Sequence, residues 1–113
     1  MASFHTVCRV GDIPEGDARV FLVDGKPIAV FRVHGQYFAL DDKCPHGGAS
    51  LAEGSVEEHT VRCRIHNWRF SIRDGTYLDE PLPEYNARTH PVRVNGQNVQ
   101  VQVIPHSESH KGI

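Results

Sequence analysis

Val20-Phe-Leu-Val-Asp-Gly-Lys-Pro-Ile-Ala-Val-Phe-Arg-Val-His-Gly-Gln-Tyr-Phe-Ala-Leu40 decides the fold class of this chain. Three apolar runs, Val20–Val23, Ile28–Val33 and Tyr37–Leu40, are separated by Asp24-Gly25 and His34-Gly35, pairs that suit two-residue hairpin turns. The runs are short and rich in β-branched and aromatic residues. Residues 20–40 are therefore expected to form a three-stranded antiparallel meander.

The same pattern continues outward. Val99, Val101 and Val103 alternate with Asn98, Gln100 and Gln102, so one face of that strand points inward and the other toward water. Val92 and Val94 flank Arg93, and Asn95-Gly96 is expected to supply the positive φ angles of a tight turn, giving a hairpin over residues 87–104. In the middle, Arg69–Ile72 and Thr76–Leu78 would pair across Arg73-Asp74-Gly75, while Val56 and Val61–Cys63 would lie on another hairpin. Ala49–Glu53 would make a single helical turn. The polar tail 105–113 has no periodicity and is expected to be poorly ordered. The class is all-β, and no internal repeat is visible.

At 113 residues the chain is read as one domain, residues 1–113, able to bury a modest core. A formal net charge of −2 and scattered Lys and Arg supply no basic stripe, which argues against nucleic acid as a partner. No window approaches the roughly 20 apolar residues that span a bilayer, and Met1-Ala-Ser-Phe-His-Thr6 has no charged start before an apolar stretch. A cytoplasmic protein without a membrane partner is expected. Three cysteines do not make a secreted disulfide framework, and with eight histidines beside them metal binding is the better reading. Cys8, alone in an N-terminal apolar strand, reads as a small packed hydrophobe.

The chemistry lies between the β-rich ends. Cys44-Pro-His46 and Cys63-Arg-Ile-His66 are separated by residues 47–62, so each of two short loops offers one thiolate and one imidazole. Two cysteines and two histidines satisfy tetrahedral zinc, which leaves a zinc-stabilised binding module open as one reading. They also suit a two-iron cluster: with soft charged sulfur on one iron and neutral nitrogen on the other, the irons become unequal and one can hold an added electron. Zinc fingers commonly pair like with like, and the mixed order on an all-β chain favours the cluster. Gly47 and Gly48 would let backbone N–H groups approach the sulfides. No nucleophile, general base or substrate pocket is apparent, so the chain is not expected to be an enzyme or to take a small-molecule substrate of its own.

The spacing and order of these residues resemble the Rieske family, whose motif is Cys-x-His followed at a distance by Cys-x-x-His. The segments 44–55 and 63–71 carry the resemblance, and they are most similar to the small Rieske ferredoxins of bacterial multicomponent oxygenases, ring-hydroxylating or toluene monooxygenase-like. The resemblance implies a Rieske fold, an antiparallel β base carrying a smaller cluster-binding subdomain of about residues 43–84. It implies one [2Fe–2S] cluster per chain, with Cys44 and Cys63 on the buried iron and His46 and His66 on the outer one. Asp79-Glu-Pro81-Leu-Pro83 stands where family members carry a loop that covers the cluster, and Trp68 is expected to shield it. The implied function is one-electron transfer from an NAD(P)H-dependent flavoprotein reductase to a terminal oxygenase, by a monomer. The small subunit of an assimilatory nitrite reductase shares the fold and is the redox alternative.

Within the family, Rieske proteins of cytochrome complexes add a disulfide between the loops and hydroxyls near the sulfurs. Here Ala49 and Ile65 stand at the cysteine positions, and Trp68 and Phe70 at the hydroxyl positions. Fewer donors stabilise the reduced state less, so the resemblance implies a potential near the low end of the Rieske range, roughly −150 mV. Asn67 follows His66 where many ferredoxins have glycine, and asparagine tolerates the left-handed backbone such a turn needs. The acids Glu53, Glu57, Glu58, Asp79, Glu80 and Glu84 fit either a docking rim for a basic partner or a solvated surface. His5, His34, His59, His90, His106 and His110 have no partner at ligand spacing and are read mostly as surface residues.

Overall fold

The structure is a computed structural model and describes residues 3–45 and 47–104. It contains ten strands in chain order: β1 (Phe4–Arg9), β2 (Ala18–Val23), β3 (Lys26–Val33), β4 (Gln36–Asp41), β5 (Ser55–Glu57), β6 (Thr60–Arg62), β7 (Arg69–Ser71), β8 (Thr89–His90), β9 (Val92–Asn95) and β10 (Asn98–Gln102). Two 3₁₀ turns, Leu51–Glu53 and Pro83–Tyr85, are the only helical pieces among the described residues. No helix among them is long and apolar enough to cross a membrane.

The meander forms as its turns require. Asp24-Gly25 and His34-Gly35 all have positive φ, as a type I′ turn demands, and join β2 to β3 and β3 to β4 in antiparallel register. β8 pairs with β4 at the far side, giving the order β2-β3-β4-β8. A second sheet, β1-β10-β9, brings the two ends of the described chain together, and a small third sheet, β5-β6-β7, lies between them in sequence.

β3 explains why its run is almost continuously apolar. Ile28 and Val30 pack with Ile13, Val101 and Val103 in one core cluster, whereas Ala29, Phe31 and Val33 face a second cluster with Leu51, Phe70, Cys44 and Cys63. Successive side chains point to opposite faces, and both faces are covered. Phe31 and Phe70 are fully buried, each stabilising the fold by about 1.5–3 kcal/mol. Cys8 is half-buried against the first cluster, and burial pushes its thiol pKa up.

Three expectations shift. Asn95 stays in β9 opposite Asn98, so the turn is Gly96-Gln97, with only the glycine at positive φ, the pattern of a type II′ turn. Pro91 interrupts the 87–104 segment, and Thr89–His90 join the meander sheet instead of the terminal hairpin. His90 is buried, not a surface residue: its Nδ1 accepts the Ile104 N–H at 3.0 Å, so Nε2 donates to the Asp41 carboxylate at 2.7 Å. The tail 105–113 and His46 lie outside the described residues.

Candidate metal centre

The first cysteine loop leaves the end of β4 and is closed by backbone bonds. Cys44 N–H donates to the Ala49 carbonyl and Gly48 N–H to the Cys44 carbonyl, both at 2.8 Å. Gly48 takes a φ of 81° to make that turn, so its donor serves the loop rather than a sulfide. Asp42, buried, ties the following 3₁₀ turn to β4: its carbonyl accepts the Leu51 N–H at 2.6 Å and its carboxylate the Ala52 N–H at 2.8 Å.

The second loop follows β6. Cys63 N–H donates to the Trp68 carbonyl at 2.7 Å, and residues 64–67 form the turn between them. His66 and Asn67 both lie in the left-handed region, with φ of 67° and 62°. Two successive non-glycine residues in that region bend the chain sharply and leave His66 exposed at the tip. An exposed Arg64–Glu53 ion pair of 3.2 Å links this turn to the first loop.

Beneath the tip the two thiols meet. Cys44 and Cys63 are each 1% exposed, belong to the same core cluster, and their side chains are within hydrogen-bonding contact. Burial raises the Cys63 pKa, the Ile65 backbone N–H donating to its sulfur opposes this, and the adjacent Cys44 raises it further. Two thiolates in one dry pocket repel each other, so both ionise together only when a cation lies between them. A pair of buried sulfurs below an exposed imidazole therefore fits a metal group that is anionic-ligated inside and neutral-ligated outside.

An aromatic wall closes the side of this pocket. Trp68 stacks on Tyr77 with centroids 4.4 Å apart and planes at 18°, and meets Tyr85 edge-to-face at 5.2 Å. Leu82 and Tyr85 pack against the core cluster that holds both cysteines, while Pro81 and Pro83 are on the exposed side of the same segment. Asp79 anchors that segment to β7, accepting from the Arg69 N–H at 2.9 Å and from its guanidinium at 2.8 Å. Of the acids read as a rim, Glu53, Glu58 and Asp79 are engaged in ion pairs within the chain.

The sequence pattern missed the Ile65 donor, because a backbone N–H leaves no trace in residue type. It also missed Tyr77 and Tyr85, whose only signal was aromatic character near the second loop.

A Rieske [2Fe–2S] domain model matches residues 3–105. The chain belongs to the Rieske [2Fe–2S] family. It carries one [2Fe–2S] cluster, which sets aside zinc as the resident metal. This Rieske chain is 36% identical over 92 residues to the ferredoxin component of a naphthalene 1,2-dioxygenase system from Pseudomonas aeruginosa, covering 81% of this chain and 88% of that protein. Among solved structures it resembles a chain in the complex of reduced oxygenase and oxidised ferredoxin of carbazole 1,9a-dioxygenase. That likeness has a TM-score of 0.79 and 31% identity, over 88% of this chain and 92% of the other. A chain assigned as an NADH-dependent nitrite reductase small subunit from Mycobacterium tuberculosis gives a TM-score of 0.84 at 26% identity, over 93% and 98% of the two chains.

Proposed function

We propose that this Rieske chain is the ferredoxin of a multicomponent oxygenase system, taking electrons singly from an NAD(P)H-dependent flavoprotein reductase and passing them to a terminal oxygenase. It is an electron-transfer component and not itself a catalyst. In this reading Cys44 and Cys63 hold one iron, His46 and His66 the other, and residues 43–84 act as the cluster-binding subdomain. The bound cluster supplies a one-electron store.

The juxtaposition of two buried thiols with His66 exposed on the adjoining turn is the observation that carries the proposal. The histidine side is where an electron enters and leaves, and half-exposed Ile65 beside it supplies apolar contact for a docked partner. The chain's other residues hold the site: Ile65 N–H favours charge on the Cys63 sulfur, and Trp68, Tyr77 and Tyr85 keep water from it. The segment bearing Pro81 and Pro83 adds to that cover, and the turn built on Gly47 and Gly48 shapes the first loop. The protein works as a cytoplasmic monomer.

Electron paramagnetic resonance of the dithionite-reduced protein tests the ligand set. Mixed histidine and cysteine ligation gives a lower average g value than four cysteines, and His66→Ala should abolish that signal. An unchanged spectrum in His66→Ala would overturn the assignment. The likeness to a nitrite reductase small subunit favours a second reading, in which the chain serves a reductase complex. Reduced protein that reoxidises with a ring-hydroxylating oxygenase present, and not with an assimilatory nitrite reductase large subunit, decides for the first.

A further inference from the structure

Away from the cysteines, two hairpin tips from different sheets meet. His34 sits on the β3–β4 turn, and Glu58 and His59 form the β5–β6 turn. His34 Nε2 is 2.6 Å from Glu58 Oε1, and the rings of His34 and His59 lie 5.4 Å apart between centroids. One donor atom from each of the three residues lies within 4.8 Å of the others. The His59 ring is only partly satisfied: Nε2 is buried with no hydrogen-bond partner, and Nδ1 has only a long 3.4 Å contact with the Arg73 guanidinium.

We propose that His34, Glu58 and His59 form a second metal site, which binds a divalent transition-metal ion of the zinc class and clamps the β3–β4 hairpin to the β5–β6 hairpin. Two imidazoles and a carboxylate are a donor set that zinc accepts with water in the fourth position. Nitrogen donors at two of three places favour Zn²⁺, Ni²⁺ or Cu²⁺ over Mg²⁺ and Ca²⁺, which need oxygen around them. Ligand atoms on a tetrahedral zinc stand about 3.3 Å apart, from bond lengths near 2.0 Å. The set already lies within 4.8 Å, and the 2.6 Å His34–Glu58 contact would open slightly to reach that spacing.

The surroundings fix the backbone and tune the charge. Glu15 accepts the backbone N–H groups of both His34 and Gly35, holding the β3–β4 turn in place, and adds negative charge beside it. Arg32 offsets part of that charge from 3.8 Å. Arg73 works against a cation, because its guanidinium faces the His59 nitrogen and repels positive charge. Removing Arg73 should therefore tighten binding.

The test uses the cluster-loaded protein, freed of loose metal, titrated with ZnCl₂ by isothermal calorimetry while the visible spectrum confirms that the cluster stays intact. One saturable site is expected, weakened on the order of 10–100-fold or more in His34→Ala and in His59→Ala, and tightened in Arg73→Gln. With Cu²⁺ added to the oxidised protein, paramagnetic resonance should show hyperfine coupling to two nitrogens. This readout stands on the unmutated protein if a variant fails to fold. Zinc binding left unchanged by both alanine variants, no saturable binding at all, or coupling to other than two nitrogens would overturn the proposal.

Discussion

Replacing Trp68 by alanine isolates the aromatic wall from the loop it borders. The bond that shapes the second loop uses the Trp68 backbone carbonyl, which accepts the Cys63 N–H at 2.7 Å and survives in the variant. The side chain makes a parallel stack with Tyr77 at 4.4 Å and an edge-to-face contact with Tyr85 at 5.2 Å. Each pair contributes about 0.5–1.5 kcal/mol beyond area burial. The half-buried indole adds on the order of 1–2 kcal/mol more from apolar area. Trp68→Ala should thus cost about 3 kcal/mol, and for a chain of this size the melting temperature should fall by roughly 12 °C or more. It should also lose visible cluster absorbance in air several times faster, whereas Trp68→Phe, keeping a stacking ring, should lie between. Thermal unfolding and the time course of visible absorbance measure the two effects. A variant that melts within about 2 °C of the parent and keeps its colour equally long would refute the shielding role.

Asn67, at a φ of 62°, should accept glycine with little change, while Asn67→Val should cost about 1–2 kcal/mol by chemical denaturation. Gly75 has a φ of 80°, and an added Cβ would lie 2.0 Å from the Ala87 carbonyl oxygen, so Gly75→Ala should lower yield and stability sharply. Burial acts to raise the Asp41 pKa, but the hydrogen bond from His90, with the charges of Lys26 and Arg88, outweighs it and holds the carboxyl below its ordinary 3.8. A lowered folded pKa gives stability that is present above the unfolded value and lost as pH falls through the folded one. Asp41→Asn should therefore be about 1–3 kcal/mol less stable at pH 7, with the gap closing below about pH 4 in denaturant titrations. Redox titration should place the midpoint near the low end of the Rieske range, roughly −150 mV, and a value above about 0 mV would contradict the ferredoxin branch.

What could be read from residue order, and what could not, follows from where the determining groups lie along the chain. Asp24-Gly25 and His34-Gly35 announce their turns because the left-handed backbone is a local demand met by local residue types. The four candidate ligands were visible for the same reason, since each thiol and imidazole pair shares one loop. Asn95-Gly96 misled by one position, because the register that keeps Asn95 opposite Asn98 is set across the strands, where Val101 and Val103 must face the core. β1 could not be paired from sequence at all: Cys8 lies opposite Val99, at the other end of the chain.

The His34, Glu58 and His59 cluster belongs with β1 in this respect. His34 and Glu58 are 24 residues apart, and neither turn needs the other to form. They meet because β3 and the small sheet bury Phe31, Val61 and Phe70 in one cluster, which sets the hairpins against each other. A perturbation of that shared core, such as Phe70→Leu, should then loosen the contact between the tips while leaving each turn intact. Sites whose donors share a loop declare themselves by spacing; sites whose donors sit one to a turn exist only once the core has packed, and their affinity should rise and fall with it.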